Sequence, residues 1–270
     1  MTNRPALNSV EKRVVWLTSL SLDAPLVALI WQNVIAVHFD HSLDWYHRFL
    51  VFTSVWLGYS ADRWLDTWRN NCNLSRRHLF HASKRWTLFA IWIFILSISM
   101  TIAILKLSPE LLRNGFALAL LSIVATVAIQ TTRAIRFKWL YKSLATALLM
   151  SLSILLFTIP NPIELALGPV AIMLSVFTFN CSLIHFWEAS IDNRQEREIA
   201  SSPRNMSLVC LFSIALAVAF LNLGYIEIAL YSLASALLLG SMHCIRDRIP
   251  LELRRTLADI ALFTPLAALV

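Results

Sequence analysis

The chain has 270 residues, of which 58% are hydrophobic and only 14% charged, and its mean hydropathy is +0.65. Soluble domains carry about 25% charged residues, so an ordinary water-soluble domain is excluded and a membrane protein is indicated. With 5 glycines and 9 prolines, low-complexity and collagen-like readings fail as well. The net charge of +7 would suit a nucleic-acid partner, but the placement of the basic residues accounts for it differently.

Nine apolar segments follow one another in chain order, at 14–38, 47–66, 86–105, 115–131, 142–159, 166–188, 206–223, 225–244 and 256–270. Most approach the roughly 20 residues that a spanning helix needs; the fourth, fifth and ninth are short. Short connectors punctuated by Ser108-Pro109, Pro160-Asn161-Pro162, Leu223-Gly224 and Ile249-Pro250 separate several of them. There is no linker and no shift of composition. The expected fold is all-α: a polytopic membrane protein with nine transmembrane helices in one bundle around a central cavity, residues 1–270 forming a single integral-membrane domain. The polar stretch Met1–Arg13 precedes no short apolar region with a cleavage site, so no removable signal peptide is expected. Cys72, Cys181, Cys210 and Cys244 are scattered without a CxxC pair and read as ordinary thiols.

Basic residues alternate between connectors. Arg4, Lys12 and Arg13 precede the first segment. Arg69, Arg76, Arg77, Lys84 and Arg85 follow the second, and Arg133, Arg136, Lys138 and Lys142 follow the fourth. Arg194, Arg197 and Arg204 follow the sixth, and Arg246, Arg248, Arg254 and Arg255 the eighth. The other connectors hold little beyond Arg48, Lys106 and Arg113. Cytoplasmic loops concentrate Lys and Arg, so the N-terminus and the even-numbered exits are expected in the cytosol and the C-terminus outside. This distribution explains the net charge, and no nucleic-acid partner is expected. Oligomeric state is not readable.

Two acidic pairs end long apolar runs on the cytosolic side. Asp62 and Asp66 close Gly58-Tyr59-Ser-Ala-Asp62-Arg63-Trp-Leu-Asp66, and Glu188 and Asp192 follow Asn180 and His185. Each pair is spaced i, i+4, which puts both carboxylates on one helical face about 6 Å apart at Cβ. A charge near the bilayer centre costs at least about 2.5–3.5 kcal/mol, so two matching pairs suggest a site. Carboxylates suit hard divalent cations, and Mg²⁺ is usually held by one or two of them together with substrate phosphates. Arg and Lys beside them can neutralise the remaining phosphate charge.

At these residues the chain resembles the UbiA superfamily of intramembrane prenyltransferases. The first motif of that family, NxxxDxxxD, is matched here by Gly58, Asp62 and Asp66, with Gly58 in place of the leading Asn; the second, DxxxD, is matched by Glu188 and Asp192. A basic stretch between the fourth and fifth helices is matched by Arg133-Ala-Ile-Arg136-Phe-Lys138-Trp-Leu-Tyr141-Lys142. The resemblance implies nine helices with the two motifs near the cytosolic ends of helices 2 and 6, facing each other across the cavity. It implies a Mg²⁺-dependent transfer of an isoprenyl group from an isoprenyl diphosphate to an unknown acceptor, aromatic or lipid. Asp62, Asp66, Glu188 and Asp192 would be the catalytic metal ligands. Arg63, Lys138, Lys142, Arg136, Tyr59, Asn180 and His185 would bind substrate, with Trp64, Trp68, Phe186 and Trp187 as aromatic neighbours of a carbocation.

Each residue has a plainer reading. Asp62 and Asp66 could pair with Arg63 or Arg69, Glu188 and Asp192 could reach into the loop, and the lysines could simply set topology. His185 could be a packed histidine, and Asn180 could tie helices together. Asp23, expected well inside helix 1, could be functional or could hold a backbone N–H. Asp259, expected one turn into helix 9, suits a helix N-terminus. Two further functions stay open: a terpene cyclase of the same fold, which needs no acceptor, and a non-catalytic lipid-binding or transport bundle.

Overall fold

The computed structural model describes residues 20–69, 84–131, 138–158, 163–189 and 203–269. Among them are nine α-helices and no strands: α1 (Asp23–His38), α2 (Trp45–Arg69), α3 (Arg85–Lys106), α4 (Pro109–Thr131), α5 (Lys138–Leu155), α6 (Ile163–Ala189), α7 (Pro203–Leu221), α8 (Ile226–Cys244) and α9 (Leu251–Ile260). A 3₁₀ segment, Ala261–Leu269, follows α9.

Five helices, α3, α4, α6, α7 and α8, are long and apolar enough to cross a membrane. They behave differently in the bundle. α6 buries most of its apolar stretch, whereas α4 buries none of its own and α3 little. Large side chains such as Phe94, Leu105, Leu120 and Ile123 point outward from α3 and α4. An outer surface this apolar is what hydrocarbon, not water, would cover. The hydroxyls agree. Ser97, Thr101, Thr131 and Ser241 are exposed, and each donates to the carbonyl four residues earlier in its own helix, which satisfies a polar group that lipid could not.

The core forms where α1, α5, α6 and α8 meet. Trp31 is fully buried there, edge-on to Phe177 with ring centroids 5.4 Å apart, and its indole N–H donates to the Leu262 carbonyl at 2.9 Å. Trp92 ties α3 to the Leu57 carbonyl of α2 at 3.0 Å. Thr264 donates to the Tyr231 carbonyl and pairs with Ser235, fixing the 3₁₀ segment on α8.

Two expectations about the ends of the chain are corrected. Helix 1 does not run unbroken from residue 14. Ser21 has φ +59°, left-handed backbone that an α-helix cannot contain, and α1 starts at Asp23. Asp23 is therefore a first-turn residue, and its Oδ1 accepts the Ala24 N–H at 3.0 Å. The ninth helix starts earlier than expected and is short. Pro250 precedes it, and the chain tightens into 3₁₀ geometry at Ala261, ahead of Pro265. Asp259 thus lies at the C-terminal end of α9, where the helix dipole does not favour an acid.

Candidate functional site

The polar side chains gather at one end of the bundle, where α1 begins, α2 ends, α5 begins and α6 ends. Lys142, one turn into α5, places Nζ 3.3 Å from Asp62 Oδ2 of α2. Both side chains remain partly exposed, 31% for Lys142 and 39% for Asp62, so neither is sealed into the protein. The pair closes one end of a cavity of about 110 Å³ between α2, α4 and α5. Along α2 the wall runs through Asp62, Tyr59, Gly58, Val55 and Ser54. At 1.5 Å per residue, the eight helical steps from Ser54 to Asp62 make the wall about 12 Å long. Ser122 and Thr126 of α4 and Thr146 and Ser153 of α5 add hydroxyls; Ile129, Leu149 and Met150 add apolar surface.

Gly58 has a definite place in this wall. A Cβ built on it would meet nothing within 4 Å. The residue that stands where the first motif has Asn therefore leaves room in the cavity instead of filling it.

Of the residues expected at the site, Tyr59, Asp62 and Lys142 meet in the cavity. Arg63, the next residue on α2, lies about 100° further round the helix and is 5% exposed; its Nη2 is 3.9 Å from Asp23 Oδ2 on α1. Asn180 donates from Nδ2 to Asp259 Oδ1 at 3.0 Å, tying α6 to α9. The cavity is walled by α2, α4 and α5, and none of its lining residues is on α6. The chamber expected between helices 2 and 6 depends on Glu188 and Asp192, whose side chains are outside the described ones. His185 is half-buried on α6. Trp64 turns to α3, 5.9 Å from Phe89 and 6.0 Å from Trp92 by ring centroids, and Phe186 packs against His243 and under Arg246.

For Asp66, Lys138 and Glu188 only the helical backbone is described, and Arg136 and Asp192 lie outside the described residues. Among the described residues no three His, Cys, Asp or Glu side chains come close enough to share a metal ion. Asp62 is a partly exposed carboxylate facing the cavity, which fits one protein ligand of a Mg²⁺ otherwise held by phosphate oxygens and water.

Sequence reading missed the hydroxyl stripe of α4 and α5. The signal was present: Ser122 and Thr126 are spaced i, i+4, and Thr146 and Ser153 i, i+7, so each pair falls on one helical face.

The architecture and its outward-facing apolar helices are those of an integral membrane protein with a polar site at one end of the bundle. Comparison with protein-family models, with curated proteins and with solved structures gives no match.

Proposed function

We propose that the chain is an intramembrane prenyltransferase of the UbiA type. One observation carries the reading: a carboxylate and an ammonium group 3.3 Å apart close one end of an elongated cavity inside a bundle of lipid-facing helices. An isoprenyl diphosphate has the matching form, an anionic head on an apolar tail. In this reading the nine apolar segments all cross the membrane, and the N-terminus and the polar end lie in the cytosol. Asp66, Glu188 and Asp192 join Asp62 as carboxylates around Mg²⁺, and Arg136 and Lys138 add cations near the diphosphate.

When bound, Mg²⁺ would draw charge from the leaving diphosphate. The side chains do the rest. Lys142 exchanges its contact with Asp62 for one with a phosphate oxygen, where a cation stabilises charge developing on the leaving group. Tyr59, Leu149, Met150 and Ile129 line the tail and keep water from the allylic carbon. The allylic C–O bond breaks and its electron pair leaves with diphosphate. A nucleophilic acceptor supplies the pair for the new bond and gives up a proton. In a cyclase an internal double bond supplies that pair instead.

The test is Mg²⁺-dependent release of diphosphate from a labelled isoprenyl diphosphate by the purified chain in lipid vesicles. Release that depends on Mg²⁺ and on Asp62 supports the reading. Binding of the labelled donor with no release at any Mg²⁺ concentration would assign the cavity to a lipid-binding bundle. Release without need of an acceptor, giving a cyclic product, would assign a cyclase.

A further inference from the structure

A second polar cluster stands where α8 ends, and none of its residues lines the cavity. The 3₁₀ turn Arg246–Arg248 follows α8 there, and α9 begins at Leu251. Between Cys244 and Thr256 the sequence sets four arginines, Arg246, Arg248, Arg254 and Arg255, against two acids, Asp247 and Glu252. Two of the guanidinium groups are held by specific contacts. Arg246 lies over the Phe186 ring of α6, 5.6 Å from its centroid, with Nη1 3.1 Å from His243 Nε2 and Nε 3.6 Å from Asp247 Oδ1. Arg254 donates from Nε to the Ile249 carbonyl at 2.6 Å, and the Ile249 N–H donates to the Arg246 carbonyl at 3.2 Å. The Arg254 head is thereby folded back onto the turn that carries Arg246 and Arg248.

These contacts leave most of the donors unused. A guanidinium carries five N–H donors and accepts nothing. Among the described residues, Arg254 uses only its Nε, and the Arg246 guanidinium hydrogen-bonds to His243 alone. The Asp247 carboxylate beside Arg246 is 86% exposed, so water screens it, and Arg248 is exposed. A planar fork of donors matches phosphate oxygens, which Arg binds through paired hydrogen bonds. The surroundings select the kind of phosphate. Leu237 and Leu238 on the last turns of α8, and Ile245 just beyond it, are exposed large apolar side chains. They belong to a helix long and apolar enough to cross a membrane, so hydrocarbon would cover them, and the arginines begin where they stop. A phospholipid has both parts, acyl chains for the apolar stripe and an anionic head for the guanidinium groups. Basic pockets at the ends of spanning helices bind such heads.

We propose that Arg246, Arg248 and Arg254 form a headgroup site for an anionic phospholipid of the surrounding bilayer, at the seam of α6, α8 and α9. Arg246 and Arg254 supply donors already held in place, and Arg248 adds charge at the rim. Phe186 and His243 act on the lipid only through Arg246, whose head they position. Topology alone asks for positive charge on a connector. It does not ask for one guanidinium held by a ring and an imidazole and a second held by a backbone carbonyl. The site does not rest on the prenyl-transfer reading.

Native mass spectrometry of the full chain in detergent, with phosphatidylglycerol and phosphatidylcholine added in equal amounts, reads the site. The wild type should retain phosphatidylglycerol in preference. An arginine near an anionic membrane surface contributes about 1 kcal/mol, so Arg246→Gln, Arg248→Gln and Arg254→Gln should each lower that preference about five-fold. Arg85→Gln, which removes a cation at the start of α3, should leave it unchanged. If Arg246→Gln does not fold, Arg248→Gln, a change at an exposed side chain, reads the same site. Equal retention of the two lipids by the wild type would overturn the proposal. An equal loss in Arg85→Gln would overturn it in favour of a general attraction between basic connectors and anionic lipid. Displacement of the bound phosphatidylglycerol by inorganic diphosphate would overturn it in favour of a soluble phosphate ligand.

Discussion

Lys142 Nζ and Asp62 Oδ2 stand 3.3 Å apart and join α5 to α2 at the polar end of the cavity. The pair is half-exposed, and an exposed pair contributes about 0–1 kcal/mol to stability. Lys142→Met should therefore change the thermal midpoint little. It should weaken binding of an isoprenyl diphosphate several-fold, most at low salt, where screening is least. Equal affinity of wild type and variant at low salt would return Lys142 to the role of setting topology.

Gly58 gives a test in which stability and binding move apart. Glycine inside a helix is less favourable than alanine by about 1 kcal/mol, and a side chain there would enter open space. Gly58→Leu should hold or raise the thermal midpoint while it blocks the cavity. Loss of donor binding with the midpoint intact is the expected result. Unchanged binding would show that the ligand does not occupy the cavity between α2, α4 and α5.

Asp23 and Arg63 make a buried pair, and removal of one partner from such a pair costs about 3–5 kcal/mol. At 3.9 Å the contact is long for an ion pair, so Asp23→Ala should cost about 3 kcal/mol. The double variant Asp23→Ala/Arg63→Met should cost less than the sum of its parts. Additive losses in denaturation midpoints would show that the two side chains act separately.

Gly168 of α6 sits under the ring of Tyr225, where an added Cβ would lie 2.6 Å from Cζ. Gly168→Ala should destabilise the chain by about 1–3 kcal/mol through overpacking. Tyr225→Ala in the same background should restore part of the loss. A Gly168→Ala protein as stable as the wild type would mean that the Tyr225 ring moves aside freely.

Cysteine probes placed at residues 70–85 and 194–204 should react with a membrane-impermeant reagent only from the cytosolic side, as the positions of Lys and Arg predict. Reaction of both connectors from outside would invert the orientation.

Much of this protein was written locally. Apolar run length and the alternation of basic connectors determine an all-helical membrane-type chain, because a segment in hydrocarbon must satisfy its backbone internally and its length must match the bilayer. The i, i+3 and i, i+4 spacings that put Asp62 on a face with Tyr59 and Gly58 were likewise legible, as was Lys142 at the end of the basic stretch after the fourth segment. These facts depend on period and composition alone. Tertiary packing decided the rest. Asp62 and Arg63 are adjacent in sequence, yet one meets Lys142 at the cavity and the other is buried against Asp23, because successive helical residues diverge by about 100° and only the neighbours of α2 determine what each one meets. Asp259, 79 positions after Asn180, accepts its amide N–H only because α9 packs on α6. No local pattern in the sequence encodes a contact between segments so far apart.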